Sequence, residues 1–577
     1  MNFKIFFLVF FFFWLIAFNK KFLFWVYLWQ LKEYHLGRFL AHFQTEKGKK
    51  IILNRLNLFK LSLIVFPFFL PLLFLLFSAN FDIFIFYLSA VFLIFVLEGA
   101  KTLWNFKRKT LKTPIFTKKT VLIIFTGILF EILIIFTLSV AILQKTYDFP
   151  FSLSHLFYFY LLIFYLLILD FLTPIFSTIS VFSWHPLAIF WRWHIIKKAK
   201  EKRTRFKDLS VIGITGSYGK TSTKEFLTTI LSEKYKVLKT KEHQNSEVGI
   251  SRCILNDLKP EHQVFVCEMG AYNRGGIKLL CDIAKPKIGI LTGINEQHMA
   301  TFGSQENITK TKYELIESLP EDSLAVFNGD NEYCRKLYSK TQNQKTQNQK
   351  TQKPKKIIHT TFLTAVRNVV WVDFWVEDIT VGREMVVFKV FSKDGDSAEF
   401  KINLMGAHNI TNILGAVSAA KELGMTLEEI SKACRKIKPR QGGMQLKKGI
   451  DGLNVIDATY SANPNGVISH LEYLKIWPGK KIIVMPCLIE LGSASIGIHQ
   501  RIGDKIGQVC DLAIITTKER FKEVKEGAVA KGMKTENILF VENPKEILEK
   551  IRGFAQPGDV VLLESRVSKE LIKLLSD

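Results

Sequence analysis

Two patterns of apolar spacing divide the chain. Up to Trp184 the apolar residues run in long unbroken blocks. Beyond the basic stretch that follows, they come as short runs separated by amphipathic segments. A helix needs about 20 apolar residues to cross a hydrocarbon core of about 30 Å. Leu61–Ser78, Phe81–Leu97, Thr120–Leu143 and Phe157–Trp184 approach or exceed that length, and the last is long enough to include a kink or a re-entrant end. Phe6–Phe18 is shorter and resembles a signal-peptide core, but no A-x-A-like cleavage site follows it, so it is expected to act as an anchor. The short runs Val211–Ile214, Val264–Cys267, Ile288–Leu291, Leu324–Phe327, Ile482–Met485, Leu512–Ile515 and Val560–Leu563 read as buried strands between helices. That alternation predicts α/β architecture with parallel sheets.

The expected fold class is therefore an α-helical membrane bundle plus α/β. Residues 1–190 form a membrane domain of four or five transmembrane helices, 191–207 a basic linker, 208–438 a central nucleotide-binding domain and 439–577 a Rossmann-like C-terminal domain. Between 338 and 357 the TQNQK repeat is too polar to bury a core, and it is expected to be a solvated loop insertion.

Charge adds orientation. The formal net charge of +26, with 50 Phe in 577 residues, places basic residues between apolar blocks. This favours a lipid bilayer over nucleic acid as the basic surface's partner. The basic residues gather between Lys20 and Lys60, between Leu97 and Thr120, and after Trp184, whereas Ala79–Asn80 and Gln144–His155 carry almost none. The positive-inside rule then puts everything after Trp184 in the cytoplasm of a multi-pass protein of the cell (inner) membrane. Within the blocks, Glu98 lies at an end; Glu131 and Asp170 lie mid-segment, where a carboxylate is expected to pair helices or serve function. The seven cysteines form no C-x-x-C pair, and read as reduced thiols.

The sharpest chemical signal is Thr215-Gly216-Ser217-Tyr218-Gly219-Lys220-Thr221-Ser222, between the strand Val211–Ile214 and a helix from Thr223. Glycines let backbone N–H groups close around phosphate, Lys220 reaches the outer phosphates, and the Thr221 hydroxyl can bind Mg²⁺. Glu268 ends the run Val264–Cys267, where a nucleotide-bound Mg²⁺ finds a carboxylate. His298 follows the next strand, on the same presumed rim, as a further ligand candidate.

The order of motifs resembles the Mur ligase family, closest to the type that adds D-alanyl-D-alanine to UDP-N-acetylmuramoyl-tripeptide. The matching stretches are TGSYGKTS (215–222), NSEVG (245–249), EMG (268–270), INEQH (294–298) and FGS (302–304) with Lys312 and Glu314, GAHNITN (406–412), YSANP (460–464), and IELG (489–492) with His499. The resemblance implies an ATP- and Mg²⁺-dependent ligase that forms an amide through an acyl phosphate, with a cell-wall precursor and an amino acid or dipeptide as substrates. It implies that Thr215, Gly216, Ser217, Gly219, Lys220, Thr221 and Ser222 cradle the phosphates, and that Thr221, Glu268 and His298 place metal. Asn409 and Asn412 would lie beside the adenine. Lys220, His298 and Lys312 would be catalytic, Lys312 as the lysine that family members can carbamylate. Asn245, Tyr460 and Asn463 would face substrate. Plain alternatives are a solvated helix lysine for Lys312 and a helix cap for Asn412.

The chain also departs from the family pattern. Gly442-Gly443-Met444 lacks the arginine of G-R-M, which leaves Arg440 as a substitute. Asp457-Ala458-Thr459 lacks an acid, Pro486-Cys487-Leu488 replaces G-D-M, and Leu563-Glu564-Ser565-Arg566 replaces K-G-S-R. Membrane spans stand where the family has its UDP-holding domain. Rival readings are another amide ligase of the superfamily (poly-glutamate or amidating type), a degenerate membrane-anchored nucleotide-binding module, and a transport ATPase.

Overall fold

In the computed structural model the two regimes of the sequence form two units, Met1–Trp191 and Arg192–Asp577. The structure describes residues 3–32, 34, 36–43, 46–69, 81–146, 154–242, 244–347, 356–361, 372–460 and 462–576.

The first unit is helical. Its N-terminal helix runs from Phe3 to Leu31, past Lys20 and Lys21, where a span ending at Phe18 was expected. Lysine is a good helix former, and two lysines alone do not stop a helix. The helix Phe81–Lys107 extends its expected span at the C-terminal end, and Lys118–Thr146 extends its own at both ends. Of Leu61–Ser78, only the part up to Phe69 is described: the helix Arg55–Val65 and the turn Phe66–Phe69. The expected kink in the last block is present: Ser154–Phe171 and Thr173–Ser183 are separate helices, with Pro174 just past the break. The pair bends by 61°. Leu8–Leu31, Ile85–Lys107 and Lys118–Thr137 are long and apolar enough to cross a membrane, and the bent pair makes a fourth candidate.

Asp170 shows what a mid-segment carboxylate does here. Its Oδ2 lies 2.7 Å from Lys21 Nζ and 2.7 Å from Lys60 Nζ. Lys60 also pairs with Glu98. Four helices are thereby tied around the fully buried pair Lys60 and Asp170, with Lys21 and Glu98 partly exposed at its edge; removing one partner of a buried pair is far costlier than the pair is stabilising. Glu131 is buried, and its Oε1 has no hydrogen-bond partner among the described residues.

The helix His185–Thr204 replaces the expected linker. Pro186 in its first turn and the later Ala, Lys, Glu and Arg all favour helix. The TQNQK insertion is corrected likewise: helix Glu332–Gln347 continues through its first half. Gln and Lys propagate a helix that better-packed residues have nucleated.

The second unit holds two sheets. Strands β1 (Ser210–Thr215), β2 (Val237–Lys239), β3 (Val264–Glu268), β4 (Ile288–Leu291), β5 (Leu324–Asn328), β6 (Lys356–Thr361), β7 (Phe374–Val381), β8 (Val386–Ser392) and β9 (Ser397–Ile402) form the first. Their order is β2-β3-β1-β4-β5-β6-β7-β8-β9. The β2 to β7 pairings are parallel, and β7-β8-β9 is an antiparallel meander. The early strands are apolar on both faces because both faces are covered. Ile212, Ile214, Val266 and Ile290 pack with Phe226, Ile413 and Val417 of the helices Lys220–Leu231 and Asn409–Glu422. Val211, Phe265, Cys267 and Leu291 pack on the other side with Ile277, Leu280 and Leu315.

Strands β10 (Gln445–Lys448), β11 (Asn454–Ala458), β12 (Lys481–Met485), β13 (Leu512–Ile515), β14 (Ile538–Phe540) and β15 (Val560–Glu564) form the second sheet, in the order β10-β11-β15-β12-β13-β14. Only β10 is antiparallel. All seven cysteines are free and buried.

Candidate active site

After β1 the chain runs to β2 and β3 on one side and then crosses to β4 and β5 on the other. Ligands in open α/β sheets bind beyond the strand C-termini at such a switch point. Three strand ends meet there. Ile214 lies in register with Glu268, and Thr215 with Leu291. The phosphate loop, Glu268 and Thr292-Gly293 therefore share one crevice.

The loop is held from both sides. Ser217 N donates to Gly293 O at 2.6 Å, and Thr215 Oγ1 donates to Met269 O at 2.9 Å. Gly219 has φ 78°, and a Cβ on it would collide with Asn412 Oδ1. That left-handed turn points the loop into the helix Lys220–Leu231, which starts at Lys220 rather than Thr223. Backbone N–H groups at such a helix start attract phosphate. Lys220 Nζ donates back to Gly216 O at 2.8 Å and Ser217 O at 3.1 Å. Burial lowers its pKa, with Glu268 opposing.

Glu268 is the hub. Thr221 Oγ1 donates to its Oε1 at 3.1 Å and Asn245 Nδ2 at 3.2 Å. Lys224, buried on the next helical turn, places Nζ 3.2 Å from Oε2. Sequence reading missed Lys224, because one lysine on a helix looks solvated. Asn245, expected to face substrate, is bonded to Glu268. The carboxylate and hydroxyl at the phosphate crevice fit Mg²⁺, which commonly takes one or two carboxylates plus substrate phosphates and water. Thr221 and Glu268 would hold it. Among the described residues no set of three His, Cys, Asp or Glu side chains could cage an ion. His298 is joined not to Glu268 but to the second sheet: its Nδ1 lies 2.7 Å from Glu490 Oε2. Burial pulls the His298 pKa down, and Glu490 pushes it up. Glu490 carried no role in the sequence reading; its partner lies 192 positions away.

Lys312 lies within the helix Gln305–Glu317 and is 3% exposed, so it is no solvated lysine. Burial, with Lys220 nearby, lowers its pKa to about 7. Glu314 accepts from Gly275 N at 2.6 Å and Lys278 N at 3.0 Å, closing the start of the helix Gly276–Ala284. Asn412 is likewise no cap, since His408 precedes the helix and Asn412 lies inside it. Asn412 accepts from Thr223 Oγ1 at 3.3 Å and donates to Asn409 Oδ1 at 3.3 Å.

The second sheet completes the crevice. Tyr460 is half exposed; partial desolvation, with Glu242 and Glu268 nearby, raises its phenol pKa, and a hydrogen bond to Thr221 opposes the rise. Asn463 starts the helix Pro464–Leu474, accepting from Gly466 N at 2.8 Å. Asn295 Nδ2 donates to Asn465 Oδ1 at 2.8 Å. The altered K-G-S-R motif builds a buried pair, His470 Nδ1 2.7 Å from Glu564 Oε2. The His470 ring centroid lies 5.1 Å from that of His408, beside Asn409. Arg440 is exposed on the turn Pro439–Gly442. His499 is structural: its Nε2 accepts from Leu488 N at 2.9 Å.

A phosphate loop beside a carboxylate, closed over by a second Rossmann-like sheet, defines a nucleotide-dependent α/β enzyme. Through this part the chain belongs to the Mur ligase family: residues 214–420 match the Mur ligase middle domain and 442–566 the Mur ligase, glutamate ligase domain. It is 27% identical over 370 residues to a UDP-N-acetylmuramoyl-tripeptide--D-alanyl-D-alanine ligase of Bacillus subtilis, covering 64% of this chain and 75% of the relative. For the enzyme of that name from Synechocystis the identity is 29% over 377 residues, covering 65% and 75%. Among solved structures it resembles the MurF ligase of Thermotoga maritima in complex with ADP, with TM-score 0.54 and 26% identity, covering 66% of this chain and 83% of the other. MurF from Acinetobacter baumannii shares the fold with TM-score 0.58 at 24% identity, covering 66% and 80%.

Proposed function

We propose that this protein is a membrane-anchored ATP-dependent ligase that adds D-alanyl-D-alanine to a peptidoglycan precursor. The observation that carries the ligase reading is the phosphate loop with Thr221 Oγ1 3.1 Å from Glu268 Oε1, at the crevice both sheets share. A precursor carboxylate oxygen attacks the γ-phosphorus, and ADP leaves with the bridging oxygen. The dipeptide amine nitrogen then attacks the acyl carbon, phosphate leaves, and the amine gives up a proton as the amide forms. Mg²⁺, when bound, neutralises phosphate charge. Lys220 turns from its loop carbonyls to the outer phosphates, Glu268 and Thr221 orient the ion side, and Lys224 balances the Glu268 charge. The contacts of Asn295 with Asn465 and of His298 with Glu490 help exclude water, which would otherwise hydrolyse the acyl phosphate.

The four apolar segments and the basic residues flanking them support an inner-membrane anchor with the ligase domains in the cytoplasm. The acceptor is accordingly proposed to be presented at the membrane face, in lipid-linked form. The test is mass spectrometry of UDP-linked and lipid-linked tripeptide precursors incubated with protein, ATP and D-alanyl-D-alanine. A mass gain of one dipeptide with release of phosphate supports the ligase. No product from either precursor overturns it, and turnover of the UDP form alone overturns the lipid-linked acceptor.

A further inference from the structure

At the end of the first sheet opposite the phosphate loop lies a cavity of about 960 Å³. Its wall includes Lys202, Arg205, Lys207 and Lys259, four cations against the single carboxylate of Asp208. The same strand serves both ends: Ser210 lines the cavity, and the phosphate loop begins at Thr215. Five residue steps of strand separate them by roughly 17 Å, so an occupant would leave the crevice free.

The cavity wall is fixed rather than a loose basic tail. Lys202 Nζ donates to Leu255 O at 3.0 Å and Leu258 O at 2.8 Å. Arg203 donates to Ala284 O at 2.9 Å and Phe206 O at 2.6 Å. These bonds lock the last turn of the helix His185–Thr204 onto the sheet. Arg205 and Lys207, by contrast, are exposed and have no carboxylate in ion-pair range among the described residues. Among the described residues, Lys259 has Glu261 as its ion-pair partner, at the limit of range, 3.9 Å. Unneutralised cations in a preformed concavity attract an anion.

The helix leading here indicates which anion. It exposes Trp191 and Trp193, at 54% and 56%, and then the lysines 197 and 198. Exposed tryptophans followed by lysines are what a chain carries where it leaves a bilayer for an anionic leaflet. From Trp193 to Thr204 the helix rises only roughly 17 Å. Resting on the membrane-anchored reading above, we propose that the cavity seats the phosphate-bearing headgroup of an anionic phospholipid, contacted by Arg205, Lys207 and Lys259.

The test places the full chain in nanodiscs of phosphatidylcholine alone or mixed with phosphatidylglycerol. Amide exchange is followed in 205–210 and 259–264. The expected result is exchange slowed at least about tenfold by phosphatidylglycerol. In the variant Arg205→Ala/Lys207→Ala/Lys259→Ala that protection is lost, while phosphate release in detergent is unchanged. Equal exchange in both discs overturns the proposal, as does protection that survives in the variant. Protection by inorganic phosphate in phosphatidylcholine discs also overturns it, because the site would then take a soluble anion. A chain that resists alkaline extraction yet shows no protection sinks the lipid site alone; one that washes out sinks the anchor as well.

Discussion

His298 and Glu490 meet side chain to side chain although each sits in a left-handed backbone conformation, with φ 65° and 64°. Neither is glycine, and such strained residues persist where surrounding structure over-determines them, often at functional sites. Glu490 O also accepts from Ala300 N at 3.1 Å, so the two segments are joined by backbone as well. The pair ties the rim of the nucleotide-binding sheet to the second sheet. Glu490→Gln keeps the shape but loses the charge of a charge-assisted bond, which is worth about 1.5–3 kcal/mol. Turnover is expected to fall roughly tenfold or more, with ADP affinity unchanged by titration calorimetry. Equal turnover would leave the pair without a role in the reaction.

Lys220→Ala removes the cation nearest the loop carbonyls. Losing one group that stabilises transition-state charge costs on the order of 10²–10³ in turnover. Substrate-dependent ADP formation should drop by that much while circular dichroism and the melting curve stay put. Retained turnover would favour a second phosphate-binding group over Lys220.

Gly219→Ala meets two obstacles at once. An L-residue at φ 78° costs roughly 1–2 kcal/mol, and its methyl strikes Asn412 Oδ1. Both a lower melting temperature and weaker nucleotide binding are expected. The double change Gly219→Ala/Asn412→Ala should recover part of the stability but not the turn.

Lys312 makes a pH prediction. Its folded pKa of about 7 lies below the ordinary 10.5. Between those values the unfolded chain holds a proton that the folded chain lacks, so stability rises with pH across that window, by up to about 1.4 kcal/mol per unit. Below it both states are protonated and the desolvation cost is present in full. Chemical denaturation of Lys312→Met should lose this slope between neutral pH and pH 10. An unchanged slope would show that Lys312 is not the group responsible.

Removing the divalent ion with a chelator should stop phosphate release, and Mg²⁺ should restore it. In Glu268→Gln the Mg²⁺ needed for half-maximal rate is expected to rise at least about tenfold, since an outright charge is lost from a site with few protein ligands. A wild-type Mg²⁺ dependence in that variant would move the ion away from Glu268.

What the sequence made legible follows from what local chemistry dictates. The phosphate loop could be read because glycine spacing, a lysine and a strand–helix context leave few other uses. The buried parallel strands could be read because both faces are covered, which writes continuous apolar runs. Strand β7 escaped notice because Phe374–Val381 buries one face in part and shows broken alternation, whereas β8 alternates cleanly and was legible but not read. Lys224 escaped, and Glu490 was read only as part of a motif, because their meaning lies in partners 44 (224 to 268) and 192 positions distant. The helix through 191–204 was hidden by its charge: lysines read as linker, although nothing in their backbone preference opposes a helix.

Lys220 Nζ lies against two carbonyls of its own loop, Gly216 O and Ser217 O, four and three positions away. The ammonium is thus tethered at the mouth of the cradle by the very turn that shapes it. Little of the chain has to move for that charge to swing onto a phosphate, which makes the lysine a short-armed clasp rather than a roving one.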